Sequence, residues 1–113
     1  MRLNNNRVIK KESAPYVIAE LNTSHFGELE IAKEMIIKAA AIGVDCVKFQ
    51  SWSTDSLYSQ DYYDENKMAK RFVKKFSFSR DEMMELSHFC KEKGIDFAST
   101  PYSNDEVDYL LTD

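Results

Sequence analysis

Apolar positions in this chain switch between short continuous runs and helical stripes. Tyr16-Val17-Ile18-Ala19 is a continuous run, the pattern of a strand covered on both faces, and it ends in the polar cluster Glu20 to His25. After Gly27 the period becomes helical. Leu29, Ala32, Met35, Ile36, Ala39 and Ala40 recur at three and four, with Glu28 and Glu30 at the positive end of the dipole and Gly43 placed to close the helix. Val44 to Gln50 predicts a second strand. The stretch Ser51 to Ser77 follows as a long connection, rich in Tyr, Ser and charge, with Trp52, Tyr58, Tyr62 and Tyr63 in its first half and a short helix expected near Asn66 to Lys75. A connection of this length in a compact domain is usually functional.

The next helix carries its own start signal: Ser79 and Glu82 form a capping box, and Phe78 with Met83 a hydrophobic staple. Met83, Leu86 and Cys90 give its buried stripe and Gly94 its end. Ile95 to Ser99 predicts a third strand. Ser103 with Glu106 predicts a second capping box, stapled by Tyr102 and Val107, and the chain ends at Asp113 a short way into that helix.

Strand, helix, strand, long connection, helix, strand, helix is the order of an α/β protein with parallel strands. An open doubly wound sheet and a closed (β/α)8 barrel of roughly 250 residues both use it. Three strands complete neither, so residues 15–113 are read as the N-terminal portion, about three βα units, of a (β/α)8 TIM barrel, after a polar leader at 1–14.

Composition narrows the classes. The 113 residues carry 15 Lys+Arg against 19 Asp+Glu, a formal net charge of −4, which disfavours a protein that coats nucleic acid. With 43% hydrophobic residues the chain can build a core. No apolar run approaches the roughly 20 residues of a membrane span, and Met1 to Arg7 lacks a signal-peptide core, so a cytoplasmic protein is expected. Cys46 and Cys90, far apart and without a CxxC, read as buried thiols.

Polar residues gather where the predicted strands end: Glu20, Asn22 and His25 after the first, Lys48 and Gln50 at the second, Ser99 and Thr100 at the third. In parallel α/β folds that C-terminal rim is where chemistry sits. A cation among apolar neighbours needs an anion, so Lys48 reads as a phosphate or carboxylate ligand, as a Schiff-base nucleophile, or as a lysine whose ammonium reaches water. Glu20 could move a proton, orient a hydroxyl or pair with Lys48. His25 is a candidate acid or base, with packing as its alternative. Ser99-Thr100-Pro101 offers hydroxyls and amides before a helix, a suitable anion cradle. His88 reads as structural, Met35, Met68, Met83 and Met84 as core or near-core, and the run Lys67, Lys70, Arg71, Lys74, Lys75 as a solvated helix face. No GxGxxG, P-loop or HExxH occurs.

Three segments resemble the sialic acid synthase family, the phosphoenolpyruvate-dependent synthases of N-acetylneuraminate, legionaminate and pseudaminate. Ala19-Glu20-Leu21-Asn22-Thr23-Ser24-His25-Phe26-Gly27 resembles its A-E-[IL]-G-x-N-H-x-G segment, Asp45 to Gln50 its D-x-V-K-[FL]-Q strand, and Phe97 to Tyr102 its F-x-S-T-P-[FY] strand end. The resemblance covers about residues 15–113, a third of a family member. It implies a (β/α)8 barrel followed by an antifreeze-like domain, a homodimer, and condensation of phosphoenolpyruvate with an N-acylated amino sugar such as N-acetylmannosamine, with release of phosphate. It implies a divalent metal, Mn2+ or Mg2+, whose histidine ligands come from later strands than this chain has.

Carried over by position, Lys48 and Thr100 would hold phosphoenolpyruvate, with Gln50 and Ser99 beside them, while Glu20 and His25 would serve the sugar side. Asn22 stands where the family usually has Gly and Ser24 where it usually has Asn, changes that bear on the acceptor sugar. Two rivals accompany this expectation: an aldolase with Lys48 as Schiff base, and a non-catalytic truncated or assembling module. The 113 residues alone are expected to be inactive.

Overall fold

A computed structural model describes residues 1–3 and 7–112. The elements run β1 (Ile18–Glu20), α1 (Leu29–Ala41), β2 (Cys46–Ser51), α2 (Thr54–Leu57), α3 (Gln60–Glu65), α4 (Lys67–Lys75), α5 (Arg80–Glu92), β3 (Asp96–Pro101) and α6 (Asn104–Leu111). The three strands form one parallel sheet in the order β1-β2-β3. Parallel strands need long crossovers, and α1 supplies the first, while α2 to α5 together supply the second.

Strand β2 sets the layering. Its residues alternate, and Val47, Phe49 and Ser51 are all buried. Val47 and Phe49 join Ala32, Ile36 and Ala39 of α1 and Met83, Leu86 and Cys90 of α5 in one core, with Phe78 and Ile95 closing its ends. Full burial of side chains such as Phe49, Ile36 and Leu86 contributes about 2 kcal/mol each before entropy is charged against it. On the other face, Ile18, Cys46 and Asp96 make one rung of neighbours, Glu20, Lys48 and Ala98 the next, and Gln50 and Thr100 the third.

Burial on both faces of the first strand does not hold. Ile18 is 51% exposed and Val17 is exposed too, because among the described residues β1 pairs only with β2 and no helix lies over the face that Ile18 shares with Glu20. The strand also starts two residues later than its apolar run. Both thiols are buried and free as expected, and burial pushes the Cys90 thiol up to about 12.

The connection after β2 is not an open loop. It folds into α2, α3 and α4 around a second cluster of Trp52, Tyr63 and Val73, packed by Leu57 and Phe76. The Trp52 indole N–H donates to the Val73 carbonyl at 3.1 Å, and the Tyr63 hydroxyl to the Thr54 carbonyl at 2.7 Å, so each large aromatic satisfies its polar atom. The basic run forms α4 as expected, yet of its apolar residues only Val73 is buried. Met68 is 62% and Phe72 53% exposed, which removes Met68 from the core set. His88 is exposed on α5 rather than packed.

The polar leader is fastened to the body. Arg2 bridges Val8, the Met1 amino group donates to the Ile9 carbonyl at 2.9 Å, and Arg7 forms an ion pair with Asp45 while donating to the Ala14 and Pro15 carbonyls.

The two packets meet where the loop after β1 passes the end of α4. Gly27 has φ +75°, and a Cβ there would lie 1.7 Å from the Lys75 carbonyl oxygen. Gly43, at φ +85°, has nothing near its missing Cβ. Gly43→Ala is therefore expected to cost about 1–2 kcal/mol for the left-handed backbone alone, and Gly27→Ala that cost plus about 1–3 kcal/mol of overpacking. Urea unfolding of both variants measures the difference, and equal losses would exclude the close approach.

Candidate functional site

Parity along β2 and β3 decides which rim residues can act together. Glu20 lies beside Lys48 across the β1–β2 ladder, and Gln50 beside Thr100 across the β2–β3 ladder, two residues further along β2. Two residues of strand are about 7 Å, so all four residues occupy one patch at the C-terminal end of the sheet, on the face away from α1 and α5.

Within it, the Lys48 ammonium meets a Glu20 carboxylate oxygen at 2.9 Å, both side chains remaining partly exposed. An ion pair this open contributes little to stability. Its chemistry matters more: it presents a cation whose present partner can be displaced by a stronger anion, next to a hydroxyl and an amide.

Ser99 goes elsewhere. One residue out of phase with Thr100, it faces the helices, where its hydroxyl lies 2.5 Å from that of Ser51. That pair, with the Tyr102 amide donating to the Ser51 carbonyl at 3.2 Å, stitches the ends of β2 and β3 together behind the patch.

His25 is likewise not at the surface. The ring is 2% exposed, stacked on Phe78 at 4.1 Å between centroids and tilted against Phe49 at 6.0 Å. Its Nδ1 accepts the Gly27 amide at 2.9 Å. Burial lowers its pKa below the ordinary value, against a smaller upward pull from the Asn22 backbone. A neutral ring thus pins the loop that follows β1. In that loop Asn22 has φ 47° and Phe26 φ 55°, conformations rare for residues with a Cβ, and the buried Asn22 Oδ1 has no hydrogen-bond partner among the described residues.

At the opposite end of the sheet the Tyr16 hydroxyl donates to Asp96 at 2.6 Å, and burial, then Asp96, raises its pKa. Among the described residues no three His, Cys, Asp or Glu side chains converge where they could hold a metal ion. Among the same residues no helix is long and apolar enough to cross a membrane.

A parallel α/β sheet with charged and polar side chains converging on its C-terminal rim defines the class: an α/β protein whose candidate site lies at the strand ends. The chain belongs to the NeuB family, whose model matches residues 35–113. It is 29% identical to the N,N'-diacetyllegionaminic acid synthase of Legionella pneumophila, across 86% of this chain and 30% of that protein. To the N-acetylneuraminate-9-phosphate synthase of Drosophila melanogaster it is 31% identical, across 84% of this chain and 28% of that protein. The solved structure of the N-acetylneuraminic acid (sialic acid) synthetase of Leptospira borgpetersenii, in complex with citrate, superimposes with a TM-score of 0.77 at 29% identity, covering 88% of this chain and 33% of that one. The chain thus spans about three-tenths of the length of the relatives it matches.

Sequence reasoning found the Glu20, Lys48, Gln50 and Thr100 patch and missed two groups behind it, Ser51 and the carboxylate of Glu106. Alternation along the second strand, continued by one residue, carried the signal for Ser51.

The lowered His25 pKa fixes a pH dependence. As pH falls, the unfolded chain takes up the proton first, near the ordinary value of about 6.5. Stability from the neutral ring is therefore complete above that value and is lost as pH falls through the lower folded-state value. Chemical denaturation between pH 7.5 and 4.5 should show this loss, and His25→Phe should flatten the part of the slope near pH 6. An NMR titration placing His25 at or above the free-imidazole value would contradict it.

Proposed function

We propose that this chain is the N-terminal part of a (β/α)8 barrel that condenses phosphoenolpyruvate with an N-acylated amino sugar to a nonulosonic acid, releasing phosphate. The observation that carries the reading is the Glu20–Lys48 pair with Gln50 and Thr100 on one open face of the rim, in a chain of the NeuB family.

Lys48 supplies the positive charge for the anionic substrate, and Thr100, one strand over, donates its hydroxyl to the same group. When the anion arrives Glu20 loses its partner. The freed carboxylate faces the acceptor and orients or deprotonates a sugar hydroxyl. Gln50, between them, hydrogen-bonds either substrate. Buried and neutral, His25 keeps the loop after β1 in the shape that sets Glu20 and Asn22 at the mouth. Ser99 supports this patch from behind by way of Ser51. The side chain of Asn22, in the position the family usually gives to Gly, narrows the acceptor side and makes that loop the place where the amino sugar is chosen.

Lys48 does not serve as a Schiff base in this reading, because its amino group is engaged by the Glu20 carboxylate at 2.9 Å rather than left free to attack a carbonyl. Borohydride with pyruvate should leave Lys48 unmodified, as mass spectrometry would show, whereas an adduct on Lys48 would establish the aldolase chemistry instead.

Binding is the first readout, because the chain spans three-tenths of the length of its relatives. Calorimetric titration of phosphoenolpyruvate into the chain should give a dissociation constant that rises at least about tenfold in Lys48→Ala, as expected for a lost bond to a charged group. An unchanged constant, or no binding by the parent chain, overturns the assignment.

A further inference from the structure

The two capping boxes predicted from sequence do not behave alike. In α5 the box closes: Ser79 Oγ accepts the Glu82 amide at 3.2 Å, and the Glu82 carboxylate accepts the Ser79 amide at 2.7 Å. In α6 only half of it forms. Ser103 Oγ accepts the Glu106 amide at 3.4 Å, but the Glu106 carboxylate does not return to Ser103. It turns inward, the residue being 5% exposed. There Oε1 accepts the Ser56 hydroxyl at 3.1 Å, and the buried Oε2 has no partner among the described residues.

Burying a carboxylate on so few hydrogen bonds, when an exposed cap lies within reach, is unfavourable on local grounds alone. The contact it makes instead is a distant one. Ser56 is the N3 residue of α2, whose capping box with Ser53 begins two residues after β2 ends. Glu106 stands in the first turn of α6, which begins three residues after β3 ends. The bond thus joins the two connections that leave the strand ends carrying Gln50 and Thr100. It runs parallel to the Ser51–Ser99 contact and to the Tyr102 amide bond, both of which stitch the same ends.

We infer that Glu106 is a positioning residue: through Ser56 it locks the α2 turn against α6 and so holds Gln50 and Thr100 in register at the rim. The effect on ligand rests on the proposed condensing function, whereas the effect on the rim does not, and the experiment separates them.

Amide hydrogen exchange of the whole 113-residue chain reads the rim through Tyr102, whose N–H bonds Ser51. Glu106→Ala and Ser56→Ala should each speed exchange at Tyr102 about tenfold, the loss expected for one hydrogen bond to a charged group, while Ile36 and Leu86 in the main core keep their protection. The double variant should exchange no faster than either single one, because both remove the same bond. Glu106→Gln keeps an acceptor for Ser56 and should stay within about twofold of the parent, and Lys48→Ala should not change Tyr102 at all. Phosphoenolpyruvate affinity should fall in Glu106→Ala and recover in Glu106→Gln.

Tyr102 accelerating only in step with Ile36 and Leu86 would show general destabilisation and overturn the inference. So would additive single variants, or a local opening at Tyr102 that leaves phosphoenolpyruvate affinity untouched. Failure of the parent chain to bind phosphoenolpyruvate would instead remove the condensing function, with the exchange pattern still deciding whether Glu106 holds the rim.

Discussion

Strand β2 is the constraint on which the rest depends. Among the described residues it is the only strand with a neighbour on both sides, and its two faces carry opposite demands. Val47 and Phe49 must be dry, which draws α1 and α5 onto one side. Lys48 and Gln50, one residue out of phase, are thereby committed to the other. A slip of one residue in either ladder would bury the ammonium and expose the phenyl ring, so the force that forms the core also aims Lys48 and Gln50 at the open face. Chemistry and stability are read from alternate letters of the same hexapeptide.

Support for the patch comes from behind it. Ser51 closes β2 on the buried side, engages Ser99, and receives the Tyr102 amide. His25 plays the same part for the loop after β1, with its ring wedged between Phe49 and Phe78 and its Nδ1 on the Gly27 amide. These groups occupy a polar layer between the apolar core and the rim, where hydrogen bonds are shielded from water and geometry is held tightly.

Much of this was legible from the chain. The order of elements, the helix ends at Gly43 and Gly94, the box at Ser79 and Glu82, and the rim set Glu20, Lys48, Gln50 and Thr100 all follow from local pattern, because period and capping are local properties. What escaped was tertiary. A continuous apolar run cannot say whether anything covers both of its faces, and Ile18 shows that nothing described does. Nor can a Ser-x-x-Glu spacing say whether the carboxylate will choose its own helix or a serine fifty residues away, as Glu106 does. The aromatic stretch after β2 looked like a loop because its core, built from Trp52, Tyr63 and Val73, is assembled from residues too far apart to set up a period. Adjacency in sequence puts Ser99 beside Thr100, while the pleat sends the two side chains to opposite faces.

The small aromatic packet between β2 and α5 leaves the sheet at the buried Ser51 and rejoins the main core at the buried Phe78, carrying its own interior with it. It meets the loop after β1 at Gly27 against the Lys75 carbonyl and at Phe26 against Phe76. A segment so enclosed is a cassette. Its own cluster buries Trp52, Tyr63 and Val73 apart from the main core, while Ser56 and Trp52 tie it to Glu106 and Tyr102 beyond β3. Substitutions inside that cluster that spare Ser56 and Trp52 therefore reshape this shoulder of the sheet while the main core stays as it is.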